Sequence, residues 1–512
     1  MLTAARAATT VGHTMQLLKS LLLASAAGLL AVSAAQAADL PTKKAAPAAD
    51  KPNCYASFWT WLDSTAADCP LSLYGVTLYG QVDVGAGYET HAAKFNNDYN
   101  NGVSELITKN NGGAKWQWVP NGLSQSNVGV KIKEQVAPNW FIVGDADFGF
   151  DPYSLDFANG PKSLADNNGQ TNFLLQSANS DSSRAGHIDN ARAYLGVSNT
   201  TFGTLTYGRQ YTLANDLSGN YDPFGGAYAF SLIGSSGSVE QGTGFTETAR
   251  YNEAFKYQVA YNGVRAGAIV QVGGWEQANT SKEAFQFDLG GDWNGFSVDA
   301  VYAYDKDAVK LSTFNAVETP PDLLKATLAD INAGVIGVKY KWDKLTLYGG
   351  YEYARLTDPS GLTTDIPVGA IYTLNGGYPG KIQANAFVDP DIQQVGWVGA
   401  KYALLTNLDA AVGYYYEWQN NYSGGTCAAS STTSATNSGF STTPVANANH
   451  SSCAGHQEAI SGMLDWRPVK RVDIYGGVMY SDVTGGFANA SGSLAFAHQN
   501  NTAFTTGVRV SF

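Results

Sequence analysis

From Val76 to Phe512 the sequence repeatedly alternates apolar and polar residues, and that period of two constrains the fold more than any other feature. Val76, Leu78, Val82, Val84, Ala86 and Tyr88 share one face of the first run, with Thr77, Gln81, Asp83, Gly85 and Gly87 on the other. The pattern returns at Leu345 to Tyr353, Leu408 to Tyr416 and Val472 to Tyr480, where Lys344, Thr346 and Glu352, then Asp409 and Glu417, then Arg471, Asp473 and Ser481 take the opposite face. Such alternation makes strands with two unlike faces but does not say which face points inward.

The connections supply the sidedness. Seven are very short, around Ala137-Pro138-Asn139, Thr200 to Gly203, Asn262-Gly263, Asn294-Gly295, Trp342-Asp343-Lys344, Thr406-Asn407 and Arg467-Pro468-Val469. Between them lie long stretches rich in Gly, Asn, Ser and Thr, near 91–122, 152–188, 211–247, 307–329, 357–390, 420–454 and 483–498. Strict alternation of tight turns and long loops is the connectivity of a transmembrane antiparallel β-barrel, with short periplasmic turns and long external loops. Seven hairpins plus a first strand at 76–90 and a last at 499–512 give 16 strands, or 18 if a short pair hides in a loop. A barrel of that size leaves an aqueous channel.

Composition agrees. Charged residues are 14% of the chain, against about 25% in an average soluble domain. The 29 Tyr, 22 Phe and 11 Trp exclude an unfolded chain. A net charge of −12 argues against nucleic acid as a partner. Beyond the leader no apolar run reaches the ~18 residues that a spanning helix needs.

That leader is a signal peptide: Lys19, the apolar run Leu21 to Val32, and Ala35-Gln36-Ala37 as a small-x-small cleavage site. Cleavage after Ala37 removes Arg6 and Lys19 and no acid, taking the charge from −12 to −14. Residues 38–75 read as a periplasmic linker, ADLPTKKAAPAADKP, followed by a cysteine-closed segment whose Phe58, Trp59 and Trp61 suggest a short helix lying on something apolar. Residues 76–512 are the barrel. Four cysteines allow three pairings. Export favours disulfides over metal ligation, and the local pairs Cys54 with Cys69 and Cys427 with Cys453 are expected, although His450 and His456 flank Cys453. No metal or cofactor site stands out.

The runs VTLYGQVDVGAGYE, SNVGVKIKE at 126–134 and ARAYLGVSNTTFGTLTYGRQY at 191–211, with the terminal Phe512, together resemble the general porins of Gram-negative bacteria. The start of the mature chain, AADLP, is similar to alphaproteobacterial porins. The resemblance implies an outer-membrane homotrimer of sixteen-stranded barrels, each narrowed by a third external loop folded into the lumen and passing small hydrophilic solutes. It also implies contact with outer-membrane lipid and lipopolysaccharide, and a terminal Phe512 read by the barrel assembly machinery.

On the third loop, YDPFGG at 221–226 resembles the constriction segment of the family with Asp and Pro exchanged, which implies Asp222 as a constriction acid with Asp216 before it. Arg192 and Arg250 match the basic ladder on the facing wall. Gln81 and Asn127 stand where relatives carry Lys or Arg, and Lys131 and Lys133 share the face of Asn127. A thinned ladder opposite two acids leads us to expect mild cation preference. Arg209 lies on the outward face of the fifth strand with Leu205 and Tyr207, and the resemblance implies a trimer contact, with Asp181 as a candidate partner.

Two other functional classes compete with a general channel. An outer-membrane hydrolase needs a nucleophile and a base held together, and no such constellation emerges around the six histidines. A substrate-specific sugar channel would line its path with aromatics, for which Tyr211, Tyr221, Phe224, Tyr228 and Phe230 are available, unless they pin the loop to the wall.

Overall fold

The computed structural model describes residues 53–91, 114–150, 152–153, 155, 192–236, 250–272, 283–311, 324–357, 360, 371–373, 379–384, 389–422, 454–484 and 500–512. The leader, the linker, Asp181, Cys427 and Cys453 lie outside the described residues.

Sixteen strands form the wall: β1 (Val76–Glu89), β2 (Asn127–Ala137), β3 (Trp140–Gly149), β4 (Arg192–Asn199), β5 (Gly203–Tyr211), β6 (Arg250–Tyr261), β7 (Val264–Gln271), β8 (Glu283–Trp293), β9 (Phe296–Leu311), β10 (Leu324–Trp342), β11 (Leu345–Thr357), β12 (Asp391–Leu405), β13 (Leu408–Gln419), β14 (Gly455–Val469), β15 (Val472–Thr484) and β16 (Asn500–Ser511). Each pairs antiparallel with its chain neighbour, and β1 closes the ring on β16 from Gln81↔Ser511 to Glu89↔Ala503. Short strands supplement the ring: Leu71–Leu73 and Lys115–Pro120 on β1, and Ile371–Thr373 with Pro379–Ala384, the latter parallel to the start of β10.

The short connections fall where the sequence puts them, with one adjustment. β14 runs on through Arg467 and Pro468 to Val469, and the turn is Lys470-Arg471. Pro468 has no N–H for the ladder, so the pairing shifts between Trp466 and Val469 without ending there.

Burial is inverted relative to a soluble sandwich. Leu195, Val398, Val412 and Ile460 are each more than half exposed on the outer face, while Asp83, Glu352 and Glu417 are fully buried inside. An apolar exterior around a polar interior suits a lipid surround. Aromatic residues flank the short turns on the outside, among them Trp140, Phe202, Tyr261, Trp293 and Trp342, as expected of an interfacial girdle.

The seam between first and last strands is reinforced. Gly80 and Phe512 exchange both backbone hydrogen bonds at 2.9 and 3.1 Å. The segment before it is closed by a Cys54–Cys69 disulfide and carries α1 (Phe58–Leu62), capped by Ser57 Oγ accepting from Thr60 N. Arg471 donates to the carbonyls of Trp61, Thr65 and Cys69 at 3.0, 3.1 and 2.6 Å and stacks over the Trp61 ring. The helix therefore meets the Arg471 guanidinium with its Trp61 ring and with the carbonyls at its end, and Phe58 and Trp59 stay exposed.

Candidate functional site

Straight after β5 the chain turns into the lumen. Thr212 Oγ1 accepts from Asn215 N and starts α2 (Leu213–Tyr221), whose Leu213, Ala214 and Leu217 are buried against the wall. Gln286 on β8 accepts from Ala214 N at 2.9 Å. From Tyr221 onward the described part of the loop follows the inside of β9 to β15 and reaches α3 (Leu232–Ser236).

Glycines make room for that path. A Cβ at Gly337 on β10 would lie 2.5 Å from the Tyr221 ring, at Gly399 on β12 2.5 Å from Pro223, at Gly413 on β13 2.7 Å from Phe224, and at Gly477 on β15 2.7 Å from Phe230. Real Cβ contacts are never that short, so side chains at these positions would exclude the loop. Tyr221 also hydrogen-bonds Asp299 on β9 at 2.7 Å and its carbonyl accepts from Trp397 Nε1 at 3.0 Å. Burial pushes its phenol up to about 12.

The two loop acids have different surroundings. Asp222 is 2% exposed and accepts from Phe224 N at 3.0 Å, Gly226 N at 2.7 Å and the Tyr415 hydroxyl. Burial raises its pKa, with these donors pulling the other way. It holds the YDPFGG turn closed and does not face the channel, a correction to its expected role as a constriction acid. The Asp-Pro order explains this, because the acid sits at the end of α2, where the turn's N–H groups converge. Asp216 keeps a side chain 37% exposed and bridges to Lys256 on β6 at 2.6 Å. Tyr221, Phe224 and Phe230 pin the loop to the wall, whereas Tyr211 and Tyr228 reach the gap.

That gap is a cavity of about 500 Å³ between the loop and the opposite wall. Gln81, Asn127, Arg192, Arg250 and Asp216 all line it, so the structure brings these expected residues together; Lys131 does not and lies 4.1 Å from the Tyr79 ring centroid. Both Arg192 and Arg250 have their guanidinium 4.8 Å from the Tyr211 ring centroid.

Two features escaped the sequence reading. Arg192 is held by Asp147 at 2.6 Å and Asp145 at 3.6 Å, both on β3 and two residues apart, a spacing that strand alternation alone would have turned inward. The second feature is a break in the wall between Lys115–Pro120 and β2, where residues 121–126 bend into the lumen. Asp83 on β1 accepts from Leu123 N and Ser124 N at 2.7 and 3.0 Å and from the Tyr475 hydroxyl at 2.7 Å. Gly122 O accepts from Ala229 N, joining break to loop. A non-glycine residue with positive φ, Asn121, begins the bend, and its side chain accepts from Ser126 N at 2.7 Å.

Against known families, the Gram-negative porin model matches residues 24–486. The chain belongs to the Gram-negative porin family. It is an outer-membrane protein. Over 193 residues, 38% of its length, this porin is 27% identical to an outer membrane porin protein of Bordetella pertussis, of which the match spans 41%. Among solved structures it aligns with an anion-selective porin from Comamonas acidovorans at a TM-score of 0.49 and 12% identity, covering 85% of this chain and 99% of that one. With OmpT of Vibrio cholerae the values are 0.49 and 14%, covering 86% and 99%.

In the porin's outward face, Arg209 pairs in register with Ala193 near the loop end of β5 and donates to Asn252 Oδ1. A bulge in the β5–β6 pairing lies between Gly208 and Gln210, with Glu253 at positive φ, and it brings Asn252 onto that outward face.

Proposed function

We propose that this porin forms a water-filled channel through which small hydrophilic solutes and ions diffuse passively, with a mild preference for cations. The family and the barrel point to a channel and not to an enzyme. The observation that carries the selectivity is the over-neutralisation of the inner wall. Arg192 lies between Asp145 and Asp147, Arg265 between Asp292 and Asp299, and Arg467 between Asp409 and Asp465. The Arg265 and Arg467 clusters each leave one negative charge on the inner wall, whereas Lys131, opposite Asp145, balances the Arg192 cluster, and fixed surplus charge between low-dielectric walls sorts ions by sign.

The working unit in this reading is a homotrimer in outer-membrane lipid beneath lipopolysaccharide, assembled through recognition of the terminal Phe512. An outward arginine at the bilayer midplane costs roughly 2–4 kcal/mol, falling towards zero near the interface. The position of Arg209 near the loop end of β5 and its bond to Asn252 support a covered or interfacial site at the trimer contact.

The test is a planar-bilayer recording of the purified protein across a KCl gradient. Three-stepped openings and a cation-selective reversal potential are expected, and Asp145→Asn with Asp147→Asn should move that potential towards anions by uncovering Arg192. An anion-selective wild type would overturn the reading of the wall.

A further inference from the structure

We infer that the gap between loop and wall is a binding subsite for an uncharged, polyhydroxylated solute about the size of a disaccharide; this rests on the channel reading above. The ionic groups at the gap are engaged by the protein: Arg192 by Asp145 and Asp147, Asp216 by Lys256, and Arg250 by the Tyr211 ring, 4.8 Å from its guanidinium. What they leave for a solute is a ring of six carboxamides: Gln81, Gln125 and Asn127 from β1, the strand break and β2, Gln258 from β6, and Asn215 and Asn220 from α2 and its end.

A carboxamide offers both donors and acceptors without charge, which matches a hydroxyl's paired donor and acceptor better than it matches an ion. Several of these side chains are held in place. Gln81 Nε2 donates to Gln125 O at 2.9 Å, Gln125 Nε2 to Phe150 O at 2.9 Å, and Asn127 Nδ2 to Asp147 Oδ2 at 3.2 Å. Each bond fixes its side chain at the wall before a solute arrives. Fixed polar groups lose little entropy on binding. The volume, about 500 Å³, falls within the roughly 300–1,000 Å³ of small-molecule pockets. Gly219, Gly225 and Gly226 on the loop side add backbone without side-chain bulk.

The experiment records single channels of the full chain in KCl and compares sucrose with a polyethylene glycol of the same hydrodynamic radius. The polymer enters and displaces ions, but its ether oxygens only accept hydrogen bonds. Sucrose is expected to give saturable blocking noise beyond the current reduction that the polymer causes. Asn220→Leu and Gln258→Leu, both at exposed positions that leave folding intact, should each raise the half-blocking sucrose concentration about fivefold, the effect of one lost hydrogen bond. The heat-modified migration of the barrel in detergent gel checks the folding of each variant. An open channel on which sucrose and polymer act alike overturns the subsite and leaves the channel standing. Saturable block unmoved in both variants overturns the carboxamide assignment, and an absence of current overturns the channel reading and the subsite with it.

Discussion

The inner wall has two halves built on the same strand alternation. Along β10 to β15 the inward positions carry Gly337, Gly399, Gly413 and Gly477 beside the buried rings of Trp397, Tyr415 and Tyr475, and the loop lies on them. Around β1 to β6 the inward positions carry Asp145, Asp147, Arg192, Lys256, Gln81 and Asn127, and on this water-facing half Arg192, Gln81 and Asn127 line the gap. A wall that must accept another piece of backbone is flat where the backbone crosses it, with charged groups such as Asp409, Asp465 and Arg467 kept elsewhere on the same strands, and the wall at the gap carries paired charges and amides. The difference assigns each half its work: one fixes where the loop lies, the other determines what the remaining gap admits.

The largest effect should come from roughening the flat half. Gly337→Val with Gly413→Val places Cβ atoms inside the van der Waals radii of Tyr221 and Phe224. Overpacking costs about 1–3 kcal/mol per site, and lifting the loop relieves it more readily than distorting a closed barrel. Single-channel conductance should rise and fluctuate while the barrel keeps its resistance to detergent. Unchanged conductance with a weakened barrel would show that the wall gives way before the loop does.

The next effect falls on the water-facing half. Asp83→Ala leaves the N–H groups of Leu123 and Ser124 and the Tyr475 hydroxyl without their buried acceptor, at about 1–3 kcal/mol for each unsatisfied group. The break at 121–126 should then loosen, admitting larger polymers in a size-exclusion assay. Asp83→Asn keeps an acceptor for the two amides and an amide donor for Tyr475, and should restore the wild-type size limit. If Ala and Asn behave alike, the charge of Asp83 matters more than its hydrogen bonds.

Much of this was legible in advance because period-two alternation and turn spacing are local properties. Sixteen strands, the inward Arg192 and the loop after Tyr211 all follow from counting. Asp222 did not follow, because whether a carboxylate on an inward loop meets water or its own turn depends on where Tyr415 and the N–H groups of Phe224 and Gly226 arrive. The glycine track was equally hidden: Gly337, Gly399, Gly413 and Gly477 lie on four different strands, and only the loop that crosses them gives them a common purpose. The break at 121–126 is held by Asp83 and by Tyr475, which is 392 residues from Asp83 in sequence, a pairing that alternation cannot encode. Alternation also turns Lys256 inward, yet its partner comes from the loop.

Lys256 tests the border between the halves. Its ammonium donates to Asp216 Oδ2 at 2.6 Å and to Tyr211 O at 2.9 Å, where the loop leaves the wall. The loop has other anchors at this end, namely the Thr212 cap, the Gln286 bond and the buried Leu213 and Leu217. Asp216 is also open enough to water for its ion pair to be screened, so Lys256→Met should cost about 1 kcal/mol or less. The loop should stay in place and conductance should change little. Charge should respond instead: the substitution would leave Asp216 uncompensated at the gap, and the reversal potential in a KCl gradient should move further towards cations. A large conductance increase in Lys256→Met would mean that the pair holds the loop, placing its hinge on the water-facing wall and not on the glycine track.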